Sequence, residues 1–190
     1  MNISLEDYQK LDPKCTIECK GKKLIFQTPN LLTKYRVDSL FTKEPGTIDW
    51  LNEIQPKEIL LDIGANVGMY TIYAAIVRDA TVYALEPESQ NYSLLNKNIK
   101  LNKLDHIVSA YCIGLSDVDS FDYIFMGSLE AGDGNHAVGE PLNFELKPFD
   151  SQIGFAQGCI TYKLDTLVET SKLPIPDYIK IDVDGFEYKV

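Results

Sequence analysis

The run Glu58-Ile59-Leu60-Leu61-Asp62-Ile63-Gly64 constrains this chain more than any other segment. It is continuously apolar and ends in a glycine loop, as a strand buried on both faces of a sheet does. Met69 to Val77 follows, almost wholly apolar and free of Gly and Pro, which predicts a buried helix. Ala80-Thr81-Val82-Tyr83-Ala84-Leu85-Glu86 then reads as a second strand. Strand, helix and strand within about thirty residues form a parallel crossover unit, because parallel neighbours cannot be joined by a tight turn. The expectation is a three-layer α/β sandwich with a mainly parallel sheet.

The flanking sequence extends that plan. Thr16 to Phe26 reads as a hairpin turning at Lys20-Gly21-Lys22, a small N-terminal cap, and Ile48, Leu51 and Ile54 recur at helical spacing after a candidate N-cap at Thr47. After Pro87, suited to a first helical turn, Tyr92, Leu95 and Ile99 mark a second crossover helix. Ile107 to Ile113 gives a third strand, Asp165 to Glu169 a helix, and Asp177 to Val183 a later strand. Residues 115–163 break the alternation and read as a hairpin excursion carrying a mobile, Gly-rich loop, with His136 in a candidate lid at its tip. Phe186 to Val190 reads as the first turn and a half of a helix, so the fold is expected to be C-terminally short. The expected division is 1–50, hairpin and lead-in helix, and 51–190, the α/β domain.

Charge narrows the partners. Asp+Glu is 28 against Lys+Arg 18, a formal charge of -10, and only Arg36 and Arg78 carry a guanidinium. A nucleic-acid backbone needs a basic face, so no nucleic acid is expected. The N-terminus has no basic-then-apolar leader and no run approaches the roughly 20 apolar residues of a membrane span, so a cytoplasmic protein with no membrane partner is expected. Cys15 and Cys19 would lie about 13 Å apart on a strand, too far for a disulfide, and reduced thiols are expected throughout.

In a sheet of this type ligands bind beyond the C-terminal ends of the strands. Gly64-Ala65-Asn66-Val67-Gly68 provides a tight strand-to-helix turn that lets a ligand approach the backbone. It lacks G-x-G-x-x-G spacing, and Asp62 before it would sit poorly against two phosphates, which disfavours a dinucleotide. Asp62 suits an ammonium group, and Glu86, ending the next strand, can accept both hydroxyls of a ribose. Those demands together match S-adenosylmethionine.

Four stretches carry a resemblance: Leu61-Asp62-Ile63-Gly64-Ala65-Asn66-Val67-Gly68, Tyr83-Ala84-Leu85-Glu86-Pro87, Gly114-Leu115-Ser116-Asp117 and Ile179-Lys180-Ile181-Asp182-Val183-Asp184-Gly185-Phe186-Glu187. In this order, with the upstream Lys43 to Trp50, they resemble the FkbM-type methyltransferases over roughly residues 40–190. The resemblance implies a Rossmann-like enzyme that uses S-adenosylmethionine to methylate a hydroxyl of a small metabolite or glycan. It places Asp62, Gly64, Asn66 and Gly68 at the methionine end of the cofactor and Glu86 at its ribose. The family has Glu where Asp184 stands, and its later strands and helices are missing here.

Asp182 and Asp184 share a strand face with Lys180 by the two-residue period. One reading makes these carboxylates catalytic, as a general base or by positioning the acceptor hydroxyl; an ordinary Asp pKa of about 3.9 would have to rise by burial for efficient base catalysis. The other makes them an ion pair with Lys180 and a cap for the following turn. No metal site is assigned, since Asp182, Asp184 and Glu187 have no diagnostic ligand spacing. Two rivals remain at this point: a catalytically inactive nucleoside-binding remnant and a nicotinamide-dependent oxidoreductase. The methyl acceptor and the oligomeric state are not legible.

Overall fold

In chain order the elements are α1 (Leu5–Lys10), β1 (Lys14–Cys19), β2 (Lys22–Gln27), α2 (Leu31–Asp38), α3 (Pro45–Leu51) and β3 (Ile59–Ile63). They continue with α4 (Met69–Arg78), β4 (Thr81–Leu85), α5 (Ser89–Leu101), β5 (Val108–Tyr111), β6 (Gly114–Leu115) and β7 (Ser120–Met126). The last are β8 (His136–Val138), β9 (Phe155–Tyr162), α6 (Leu164–Thr170), β10 (Tyr178–Ile181) and a single 3-10 turn at Glu187–Lys189. This computed structural model describes residues 3–142, 145, 147–148, 154–170, 173–183 and 185–190.

Strands β10, β3, β4 and β5 pair in that order, all parallel, and form the predicted sheet. Alternation along β3 sends side chains to two cores. Leu60, with Val82, Ala84 and Val108 of its neighbours, packs under α4, α5 and the hairpin residues Leu24 and Phe26. Leu61, Ile63 and Leu85 face the opposite core with Leu115 and Leu167. The hairpin therefore shares one core with the sheet and its helices.

The excursion departs from expectation. Residues 115–163 contain most of a second sheet, ordered β6-β9-β7-β8, in which β7 pairs antiparallel with both neighbours and β6 runs parallel to β9. The Gly-rich segment before β8 is tied down rather than free. Asn30 Nδ2 donates to the Ala131 carbonyl at 2.9 Å, Asn66 Nδ2 to the Asp133 carbonyl at 2.8 Å, and Gly132 N to Asn91 Oδ1 at 2.6 Å. These anchors lie about 40 to 100 positions away in sequence, so local composition gave no sign of them. Smaller differences have local causes. Pro45 occupies the first turn of α3 and puts Glu44 at its N-cap, leaving Thr47 inside the turn. Glu88, whose carboxylate accepts from Gln90 N and Asn91 N, caps α5, so Pro87 precedes the helix.

Candidate active site

Leaving β3, the chain crosses over to β4 and then β5 on one side, and β10 returns to its other side. The switch therefore lies between β3 and β10, where a crevice opens beyond the strand ends. The two strands approach closely there. A Cβ on Gly64, which has φ +72°, would lie 1.9 Å from the Asp182 carbonyl oxygen, so only glycine fits. The crevice widens into a cleft of about 900 Å³, open to solvent, between the first sheet's strand ends and the second sheet. A smaller pocket adjoins it and shares Arg36, Lys43, Gly64, Asn66 and Asp182 as walls.

Four of the sequence-predicted residues line the cleft: Gly64, Asn66, Glu86 and Asp182. Asn66 adopts φ +50° and donates its backbone N–H to Glu86 Oε2 at 2.7 Å, coupling the glycine turn to the neighbouring strand end. Glu86 Oε1 accepts from Glu88 N at 2.9 Å. Asp182 has a half-exposed side chain with Lys180 Nζ at 3.4 Å. Two others stand behind the wall. Asp62 is fully buried, accepting from the Thr71 hydroxyl at 2.6 Å and pairing with Lys180 at 3.3 Å. Gly68 begins α4 with φ +86°, and a Cβ there would lie 2.5 Å from Leu95 Cδ1, so it permits helix packing. Asp184 lies outside the described residues.

Burial governs the electrostatics. Glu86 is raised to about 7, because desolvation outweighs the two backbone donors that favour its charged form. Burial also opposes the charge on Lys180, but Asp62 and Asp182 outweigh it and hold the ammonium above its ordinary value. That ammonium sits 5.2 Å from the Tyr70 ring centroid. The Tyr70 phenol, which donates to Glu44 at 3.0 Å, is pushed well up, first by burial and then by that carboxylate. His136 is pushed down, chiefly by burial, and both its ring nitrogens are buried without a hydrogen-bond partner among the described residues.

Arg36, Lys43 and Val138 line the wall without being singled out as site residues in the sequence, whereas His136 is placed there in the candidate lid. Arg36 and Lys43 come from upstream of the parallel sheet, and His136 and Val138 from the second sheet. His136, read from the sequence as lying at the tip of a candidate lid, is half-buried at the start of β8, and Tyr70 lines the smaller pocket. The one available signal was an arginine in a chain with only two.

The cleft residues fit the predicted nucleoside. Each Glu86 oxygen uses one lone pair on a backbone donor and keeps another for a ribose hydroxyl. Ile63, Leu85, Ile113, Leu115, Ile124 and Val138 supply apolar walls for a planar base.

A parallel sheet with its crevice at the switch point, a glycine turn on one strand and a buried acid at the end of the next define a Rossmann-like α/β fold. The chain belongs to the FkbM methyltransferase family: the Methyltransferase FkbM domain model matches residues 62–190. S-adenosylmethionine is the methyl donor of that family. The chain is 29% identical over 140 residues to the hexuronic acid methyltransferase AglP of Haloferax volcanii, covering 74% of this chain and 51% of that protein. It thus spans about half the length of that relative. Among solved structures, TYW2 of M. jannaschii in complex with AdoMet is 24% identical, with 53% of this chain and 43% of that chain covered and a TM-score of 0.36. A SAM-dependent methyltransferase from Agrobacterium tumefaciens is 14% identical, with 54% and 33% covered and a TM-score of 0.40. No helix among the described residues is long and apolar enough to cross a membrane.

Proposed function

We propose that this chain binds S-adenosylmethionine in the cleft and methylates a hydroxyl oxygen of a small metabolite or glycan. The observation that carries this reading is Glu86, a buried carboxylate with unused lone pairs at the cleft wall, joined by a hydrogen bond to the Gly64–Gly68 turn. The similarity to a hexuronic acid methyltransferase supports a sugar acceptor.

The cofactor, when bound, supplies a methyl group on a positively charged sulfur. Glu86 takes the ribose hydroxyls, and the turn from Gly64 to Asn66 lets the methionine end approach backbone. Asp62 acts from behind, fixing Lys180, while Gly68 lets α4 seat against Leu95. Asp182 faces both pockets and holds the acceptor hydroxyl by accepting its hydrogen bond. It takes the proton, directly or on its way to water, as the new carbon–oxygen bond forms and the carbon–sulfur bond breaks. A half-exposed carboxylate beside Lys180 is better suited to orienting the hydroxyl than to acting as a strong base. Orientation and exclusion of water are the main demands of such a displacement.

The test is transfer of labelled methyl from S-adenosylmethionine to a panel of hexuronates and neutral sugars. Asp182→Asn is expected to keep cofactor affinity and lose turnover by about a hundredfold or more. Full turnover in that variant would return Asp182 to a structural role.

A further inference from the structure

The cleft and its side pocket are walled by four cations: Arg36, Lys43, Lys180 and Lys189. Three are neutralised by neighbours. Lys43 pairs with Glu44 at 3.0 Å, Lys180 with Asp62 and Asp182 at 3.3 and 3.4 Å, and Lys189 with Glu140. Arg36 has no carboxylate partner among the described residues. Its Nε donates to the Gly132 carbonyl, and Gly132 is fixed in turn by Asn91 Oδ1. Among the described residues no further hydrogen bond or ion pair engages the guanidinium, and Arg36, held at Nε, lines both pockets. His136 stands on the wall of the same cleft with two buried ring nitrogens that have no hydrogen-bond partner among the described residues. Leaving buried polar atoms unpaired is costly, so this part of the cleft is built for a polar ligand group.

We propose that Arg36 is a carboxylate-binding residue of the cleft, its planar fork receiving an anionic group of the ligand. Guanidinium and carboxylate match in a two-bond geometry that a lysine ammonium cannot reproduce. The inference deepens the proposed function, and rests on it, by giving this site a ligand chemistry. Two carboxylates are available in such a reaction: the methionine carboxylate of the cofactor, and an acid group on the acceptor.

The experiment compares ligand pairs that differ in the carboxylate, using the unsubstituted chain, Arg36→Lys and Arg36→Met. Calorimetry with S-adenosylmethionine and its decarboxylated form reads the first source. Saturation-transfer NMR with methyl glucuronoside and methyl glucoside, in the presence of S-adenosylhomocysteine, reads the second. If Arg36 holds the cofactor, both variants lose tenfold or more in affinity for S-adenosylmethionine and little for its decarboxylated form. If it holds the acceptor, nucleoside affinity is unchanged and the preference for glucuronoside disappears. A loss of Gly132 anchoring alone would weaken both members of a pair equally; that result, or no change in either pair, overturns the proposal. If the unsubstituted chain binds neither nucleoside, the cofactor reading fails instead. A glucuronoside preference, measured then without nucleoside and abolished by both substitutions, would still support the arginine's role, and its absence would overturn it.

Discussion

Glu86 joins the most elements of the account in one residue. It ends β4, fixes the glycine turn through Asn66 N, and is raised from 4.5 to about 7 by burial. The folded protein therefore holds a proton there between those two values that the unfolded chain has released. Stability falls as pH rises through that window, by about 3 kcal/mol in all, and is flat above it. Ribose hydroxyls donating to the carboxylate favour its charged form, so ligand binding lowers that pKa and expels the proton. Binding of S-adenosylhomocysteine is expected to release about half a proton at pH 7, with affinity rising from pH 6 to 7.5. Calorimetry in buffers of different ionisation enthalpy measures this directly. Glu86→Gln should abolish the release, and a pH-independent affinity in the unsubstituted chain would remove the carboxylate from the ribose site.

At the scale of elements, α5 organises the site through one polar stripe. Asn91 holds Gly132 and Asp133, Asn98 bridges Gln27 N to the Val67 carbonyl, and Asn102 takes both polar groups of Ile25. Four residues of helix rise about 6 Å and two residues of strand slightly more, so Asn98 and Asn102 match the free edge of β2 like a neighbouring strand. The same edge would otherwise present unpaired backbone groups. Asn98→Ala strands one buried and one half-buried backbone group and should cost about 1 to 3 kcal/mol, a fall in Tm of several degrees. Asn96→Ala is the control, because among the described residues Asn96 bonds only to the Tyr92 carbonyl of its own helix. A calorimetric melt in which both variants behave alike would contradict this role for the stripe. These asparagines also mark the limit of the sequence reading. Apolar periodicity exposed the α5 core face at Leu95 and Ile99, and the glycine turn and Glu86 were legible as adjacent strand ends. What a polar side chain grips depends on segments brought near by folding, so Asn91, Asn98 and Arg36 had no local signature, and the Gly-rich segment marked His136 without showing its burial. Asp62 was legible as a special acid, but its register beside Lys180 depended on how β3 and β10 pair.

Among the described residues of the whole molecule, two four-stranded sheets meet over the cleft, and the β1-β2 hairpin packs in the core on the parallel sheet's other face. The parallel sheet supplies the turn, Glu86 and Asp182, and the second sheet supplies the opposing wall at Ile124, His136 and Val138. In a chain of formal charge -10, that cleft is walled by Arg36, which has no carboxylate partner among the described residues, and by the buried acid Glu86. The central claim is that this cleft binds the sulfur nucleoside. Its most direct test is calorimetric titration with S-adenosylmethionine and S-adenosylhomocysteine against NAD, with the melting temperature followed in parallel. Saturable one-to-one binding of both sulfur nucleosides and none of NAD is expected. At about 100 times the dissociation constant, either ligand should add roughly 2.7 kcal/mol of stability. A folded chain that binds NAD and neither sulfur nucleoside, or none of the three, would contradict the central claim.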